Sequence, residues 1–172
     1  MAEVFVNKVA ESGIISLDLE ALGGKYEWVA FDLKPFLFME LILREKEFRE
    51  ALKVHDWEVY RGKLVAVHCS ADAIIPMWAY MLVGSSLEPY AAGVLFGDLA
   101  HARQEWLLQR VNELNREEFA GKRVVIKGCG DEPVSEAVYL AATVKLRPVV
   151  KSLMYGEPCS TVPIFKQKAP VA

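Results

Sequence analysis

The residues best suited to chemistry are three thiols set far apart in the chain. Cys69, Cys129 and Cys159 each follow a short apolar run. Three thiolates with a fourth ligand would suit Zn²⁺ or an iron–sulfur cluster, since both take soft sulfur donors. Asp98, Asp72, Asp131 and His101 are candidates for the fourth position. The expected metal set is Cys69, Cys129, Cys159 and Asp98. Two other chemistries compete with it. Free cysteine often packs as a small hydrophobic group, and no C-x-x-C pair of the kind found in structural zinc sites is present. Yet Cys159 sits between Pro158 and Pro163, a poor place for a core residue. A nucleophilic role is also open, because Cys69 and Cys129 precede helix starts, which lower a thiol pKa. Asp72 and Asp131 oppose that shift. Each acid also has an ordinary use as a helix cap, and His55 and His68 read as surface or internally satisfied histidines.

An internal repeat positions the thiols. The stretch from Gly62-Lys63 to Gly97-Asp98 matches the stretch from Gly121-Lys122 to Gly156-Glu157, with correspondences 62→121, 80→139, 89→148 and 97→156. Each copy reads strand, helix, strand. Leu64–Val67 and Val124–Ile126 are apolar runs short enough for buried parallel strands. Ile74–Val83 and Pro133 to Leu146 follow as helices, and Gly93–Phe96 and Val149–Tyr155 as the second strands. Asp98 caps a helix that runs to Leu114. Ahead of the repeat, Trp28–Phe31 reads as a strand and Phe36 to Val54 as a helix. Ser12-Gly13 and Gly23-Gly24 mark turns in a segment without a long period. The tail from Glu157 should run extended and irregular.

Two such units side by side predict the strand order A2-A1-B1-B2. Leu64–Val67 and Val124–Ile126 then become neighbours about 4.8 Å apart. Cys69 and Cys129 would face each other across a crevice, with Cys159 at the same rim. A competing order places Trp28–Phe31 centrally and separates the cysteines. The helix Ile74–Val83 is apolar nearly all round, whereas its copy is amphipathic, with Ser135, Glu136, Thr143 and Lys145 exposed. Such a helix must be covered on both sides, by the N-terminal region or by a second subunit, so a homodimer is expected.

The expected fold is α/β: three layers around a mainly parallel sheet built from two pseudo-repeated βαβ units. One domain spans 1–172. Its parts are an N-terminal strand and helix (1–56), a first βαβ-α unit (57–115), a second βαβ unit (116–157) and an extended tail (158–172). The chain has 172 residues, 53% of them hydrophobic, and a formal charge of -3. An acidic balance without a basic stripe excludes a nucleic-acid partner. No apolar run is long enough to span a bilayer, so no membrane partner is expected. The absence of a basic leader before an apolar core predicts no signal peptide, and an odd cysteine count suits a reducing compartment. A cytoplasmic protein is expected. Gly128-Cys129-Gly130 follows a strand, but Pro133 breaks the dinucleotide pattern, and no phosphate-cradling G-x-x-x-x-G-K-[ST] occurs.

Five stretches carry a resemblance: Phe31-Asp-Leu-Lys-Pro-Phe-Leu-Phe, Cys69-Ser-Ala-Asp-Ala-Ile-Ile-Pro, Val94-Leu-Phe-Gly-Asp98, Lys127-Gly-Cys129 and Gly156-Glu-Pro-Cys-Ser-Thr-Val-Pro163. Through them the chain resembles a bacterial family known as domain of unknown function 2480. The resemblance brings no activity. It implies an association with iron–sulfur assembly, and hence assembly proteins as partners. The functional expectation is a metal- or iron–sulfur-binding accessory protein. Its alternatives are a thiol-dependent enzyme of the sulfur-transfer type, or a structural role without a cysteine site.

Overall fold

A computed structural model describes residues 13–128, 133–157 and 159–168. Its elements run β1 (Ile14–Asp18), α1 (Leu19–Leu22), β2 (Trp28–Asp32), β3 (Leu37–Phe38), β4 (Ile42–Leu43), α2 (Glu45–Val54) and β5 (Leu64–His68). They continue with α3 (Met77–Leu87), β6 (Gly93–Phe96), α4 (Leu99–Glu113), β7 (Arg123–Lys127), α5 (Glu136–Leu146), β8 (Ser152–Glu157) and β9 (Ser160–Lys166). The chain forms two compact units. Lys25–Glu105 makes a continuous unit, and Met1–Gly24 with Trp106–Ala172 makes a split unit. One boundary follows Gly24 and the other falls inside α4.

In the continuous unit β2, β5 and β6 form a sheet in that order, parallel throughout. Leu64 to Val67 of β5 are all buried, as a central strand covered on both faces requires. Ala79, Val83 and Leu87 recur every fourth residue on α3 and form its buried face. Pro76 precedes that helix, so it begins at Met77 rather than Ile74. Phe48 and Leu52 of α2 join the same core. Phe31 stacks on Phe36 and Trp57 at 5.6 Å and 5.7 Å. Burying one such ring contributes about 1.5–3 kcal/mol.

The split unit has the sheet order β1-β7-β8-β9. The first three strands are parallel, and β9 is antiparallel to β8. Val138, Ala142 and Leu146 of α5 pack with Leu107 and Val111 of α4 and with Val124 and Ile126 of β7. Trp106 Nε1 donates to Gly23 O at 2.7 Å, tying α4 to the turn after α1. The helices at 77–87 and 136–146, and the strands at 64–68 and 123–127, keep equal lengths and one constant spacing.

Several expectations are corrected. The order A2-A1-B1-B2 does not form: β5 lies between β2 and β6, and β7 between β1 and β8. Each central strand spends its second edge on a strand that precedes its unit. One of these, Ile14–Asp18, is short and gave no period. Successive described strands therefore advance in one direction across each of these two sheets, with no reversal point among the described residues. The helix read over Phe36 to Val54 is a 3-10 turn (Lys34–Phe36), a hairpin of β3 and β4, and α2. The tail is not irregular, since β9 runs through it. Pro163 is tolerated there because β9 is an edge strand. The outer face of α5 is apolar too, with Leu140 and Val144 exposed.

Candidate functional site

In the continuous unit β2 and β5 end side by side, with Asp32 and His68 as register partners. The loop after them is held by the Asp32 carboxylate. Its Oδ1 accepts from Lys34 N–H and Ser70 N–H, both at 2.9 Å, and its Oδ2 accepts from the Ser70 hydroxyl at 2.5 Å. Burial pulls the Asp32 pKa upward. The Ser70 hydroxyl, the Lys34 and Ser70 N–H groups and nearby His68 outweigh it and hold the carboxyl below its ordinary value. Leu33 N–H donates to His68 O, and Gly97 N–H to Val67 O, both at 2.9 Å, so all three strand ends are pinned.

Cys69 lies between His68 and Ser70, half-buried, with its side chain partly against the core. Its thiol contacts Ala71 O at 3.7 Å. Tyr80 of α3 is within electrostatic reach of it: burial, and then Cys69, raises the phenol pKa. The Tyr80 ring stands edge-on to Phe96, centroids 5.5 Å apart. The rim therefore gathers a thiol, a phenol, an imidazole and a carboxylate-bound hydroxyl. Such a set can accommodate a polar group bonded to sulfur and donate hydrogen bonds to it.

The split unit has a different rim. Lys127 Nζ lies 3.4 Å from Asp18 Oδ2 and 3.8 Å from Glu157 Oε1, so three adjacent parallel strands end on acid, base and acid. Asp18 also caps α1, accepting from Glu20 N–H and Ala21 N–H. Tyr139 stands edge-on to Tyr155 at 5.6 Å, repeating the Tyr80 and Phe96 pair. A Cβ on Gly128 would lie 2.6 Å from the Tyr139 hydroxyl, so the chain is tight where this rim meets α5. An open cleft of about 270 Å³ lies among Glu136, Tyr139, Thr143, Tyr155 and Ile164.

Of the expected metal set, Cys69 stands at the first rim, and Cys159 is exposed in the turn between β8 and β9. Cys129 and Asp131 lie outside the described residues. Asp98 accepts from His101 N–H at 2.8 Å and caps α4. Asp72 and His101 are exposed. Among the described residues no three His, Cys, Asp or Glu side chains are placed to hold a metal ion, so the described donors do not fit zinc or a cluster. The constant spacing also pairs Cys69 with Gly128 and Cys129 with Ser70, so the two thiols are not strict counterparts. His55 is internally satisfied: its Nε2 is 3.1 Å from the Tyr60 hydroxyl. Asp32, Ser70, Tyr80 and Lys127 were not anticipated. The available signal was a polar residue closing each apolar strand, which reads in sequence as a stop and nothing more.

The family described as "Protein of unknown function (DUF2480)" matches residues 3–167, and the chain belongs to that family. No curated protein and no solved structure matches it. Among the described residues no helix is long and apolar enough to cross a membrane.

Proposed function

We propose that this is a thiol-dependent protein of the sulfur-transfer type, working through Cys69 at the rim of the β2-β5-β6 sheet. One observation carries the reading. Cys69 is held half-buried at the end of the central strand, beside Tyr80 and in a loop fixed by Asp32. In the step this arrangement suits, the Cys69 thiolate attacks the outer sulfur of a donor persulfide. Cys69–S–SH forms, and the donor leaves as its thiolate. The Tyr80 hydroxyl is the group that would donate to the arriving sulfur, while Ser70, whose hydroxyl donates to Asp32, holds the loop; iron–sulfur assembly proteins are the class of partner expected.

The test is to incubate reduced protein with a low-molecular-weight persulfide and locate the added sulfur by peptide mass spectrometry. It should sit on Cys69 and disappear in Cys69→Ser. Sulfur found only on Cys159, or on no cysteine, would contradict the reading.

A second reading, metal binding in the split unit, is favoured by one observation. Lys127 and Glu157 bring the ends of β7 and β8 together, and Cys129 and Cys159 each follow two residues later. Elemental analysis of protein purified without oxygen decides it: metal lost in both Cys129→Ser and Cys159→Ser supports it, and metal-free protein rejects it.

A further inference from the structure

The two units differ at one edge. In the split unit β8 carries β9 on its outer side, paired from Ser152↔Lys166 to Glu157↔Ser160. In the continuous unit β6 is the last strand of its sheet among the described residues. The ring pairs Tyr139–Tyr155 and Tyr80–Phe96 have matching geometry, so these edges can be compared position by position. Leu153 is 0% exposed, but Val94, which occupies the same place, is 37% exposed. Tyr155 is 42% exposed and Phe96 65%. Glu136, Tyr139 and Thr143 of α5 look onto Ile164 of β9. The matching flank of α3 is Met77, Tyr80 and Gly84, and among the described residues no strand lies beyond β6 on that side.

Monomeric proteins blunt free edges with lysine, proline or charge, and Gly93-Val94-Leu95-Phe96 has none of these. Next to it α3 leaves Met77 and Met81 71% and 72% exposed, and Ile74, in the segment before the helix, is 94% exposed. Together these side chains present apolar surface on the order of 500 Å², near the top of the range for a monomer.

We propose that a second copy of this chain covers this face, β6 pairing antiparallel with β6 about a two-fold axis and α3 meeting α3. A lone extended peptide would complete the β6 edge but leave Met81 and Ile74 in water. A second copy brings an identical apolar helix to them, and a two-fold contact requires that self-complementarity. Two such patches bury on the order of 1,000 Å², the lower bound of a specific interface.

Sedimentation of the full chain at micromolar concentration tests this. Wild type should be a dimer, and Leu140→Glu, on the exposed face of α5, should remain one. Met77→Glu and Val94→Lys should each weaken association at least about tenfold, because each substitution enters the contact twice. Hydrogen exchange supplies a readout that needs no variant: β6 amides should be protected more as concentration rises. A monomeric wild type, a dimer that survives both substitutions, or β6 exchange independent of concentration would overturn the proposal.

Discussion

Replacing Asp32 tests whether one carboxylate holds the Cys69 rim in place. Three hydrogen bonds end on it, two from backbone N–H groups and one from the Ser70 hydroxyl. Bonds to a charged acceptor contribute about 1.5–3 kcal/mol each when shielded from water. Ser70 is exposed and Asp32 only half-buried, so solvent competition reduces the whole set to about 1–2 kcal/mol. Asp32→Ala removes all three acceptors and should destabilise by that amount. Asp32→Asn can keep its amide oxygen toward both N–H groups while its NH₂ donates to Ser70, and should cost less than about 1 kcal/mol. The pH dependence follows from the sign of the shift. A carboxyl whose folded pKa is lowered contributes stability above its unfolded value and loses it as pH falls through the folded value. The gap between wild type and Asp32→Asn should therefore be constant above about pH 5 and close below about pH 4. Urea unfolding followed by circular dichroism across that range measures it. An Asp32→Ala protein as stable as wild type at neutral pH, or a gap that widens with acid, would refute the reasoning.

Four further predictions concern the scaffold. Leu87→Ala and Leu146→Ala, both at fully buried positions, should each cost about 2–5 kcal/mol in urea unfolding. Met81→Ala on the exposed face of α3 should change the stability of the isolated chain by less than about 0.5 kcal/mol. Met39 and Glu40 hold φ of 53° and 58° at the tip of the β3–β4 hairpin, so Met39→Gly should stabilise by about 0.5–1 kcal/mol, seen as a higher thermal midpoint. Gly156 has φ 113°, and a Cβ there would meet Ser160 O at 2.6 Å, whereas one on Gly62 meets nothing within 4 Å. Gly156→Ala should therefore lower the thermal midpoint by more than Gly62→Ala, which bears only the left-handed backbone cost of about 1–2 kcal/mol.

What could be read in the sequence was local. Leu64–Val67 and Val124–Ile126 announced themselves as buried strands because apolar residues fill both faces, and Asp98 announced the cap of α4. Pairing could not be read that way. The strand Ile14–Asp18 is five residues of mixed character, and only its register with β7 makes it a strand. Once it and Trp28–Asp32 take the open edges of β7 and β5, the crevice expected between Cys69 and Cys129 has no strands left to form it. The Phe36 to Val54 segment misled for a related reason. Its apolar spacing fits a helix, but the left-handed turn at Met39 and Glu40 closes a hairpin, and neither residue type signals such a turn. The Cys69 rim was half legible: the thiol was visible at a strand end, but its surroundings come from Asp32 and Tyr80, which only the fold brings near.

The central claim, that Cys69 is the working thiol, is tested most directly by competition between cysteines of one molecule. Fully reduced protein is treated with iodoacetamide below one equivalent, and the label on each cysteine peptide is counted by mass spectrometry. Accessibility alone favours Cys159, which is exposed while Cys69 is half-buried. The account predicts the reverse order, with Cys69 labelled faster than Cys159 by about tenfold or more and the advantage reduced in Tyr80→Phe. Cys159 labelled first, with Cys69 protected until the protein unfolds, would contradict it and leave Cys69 as a core residue.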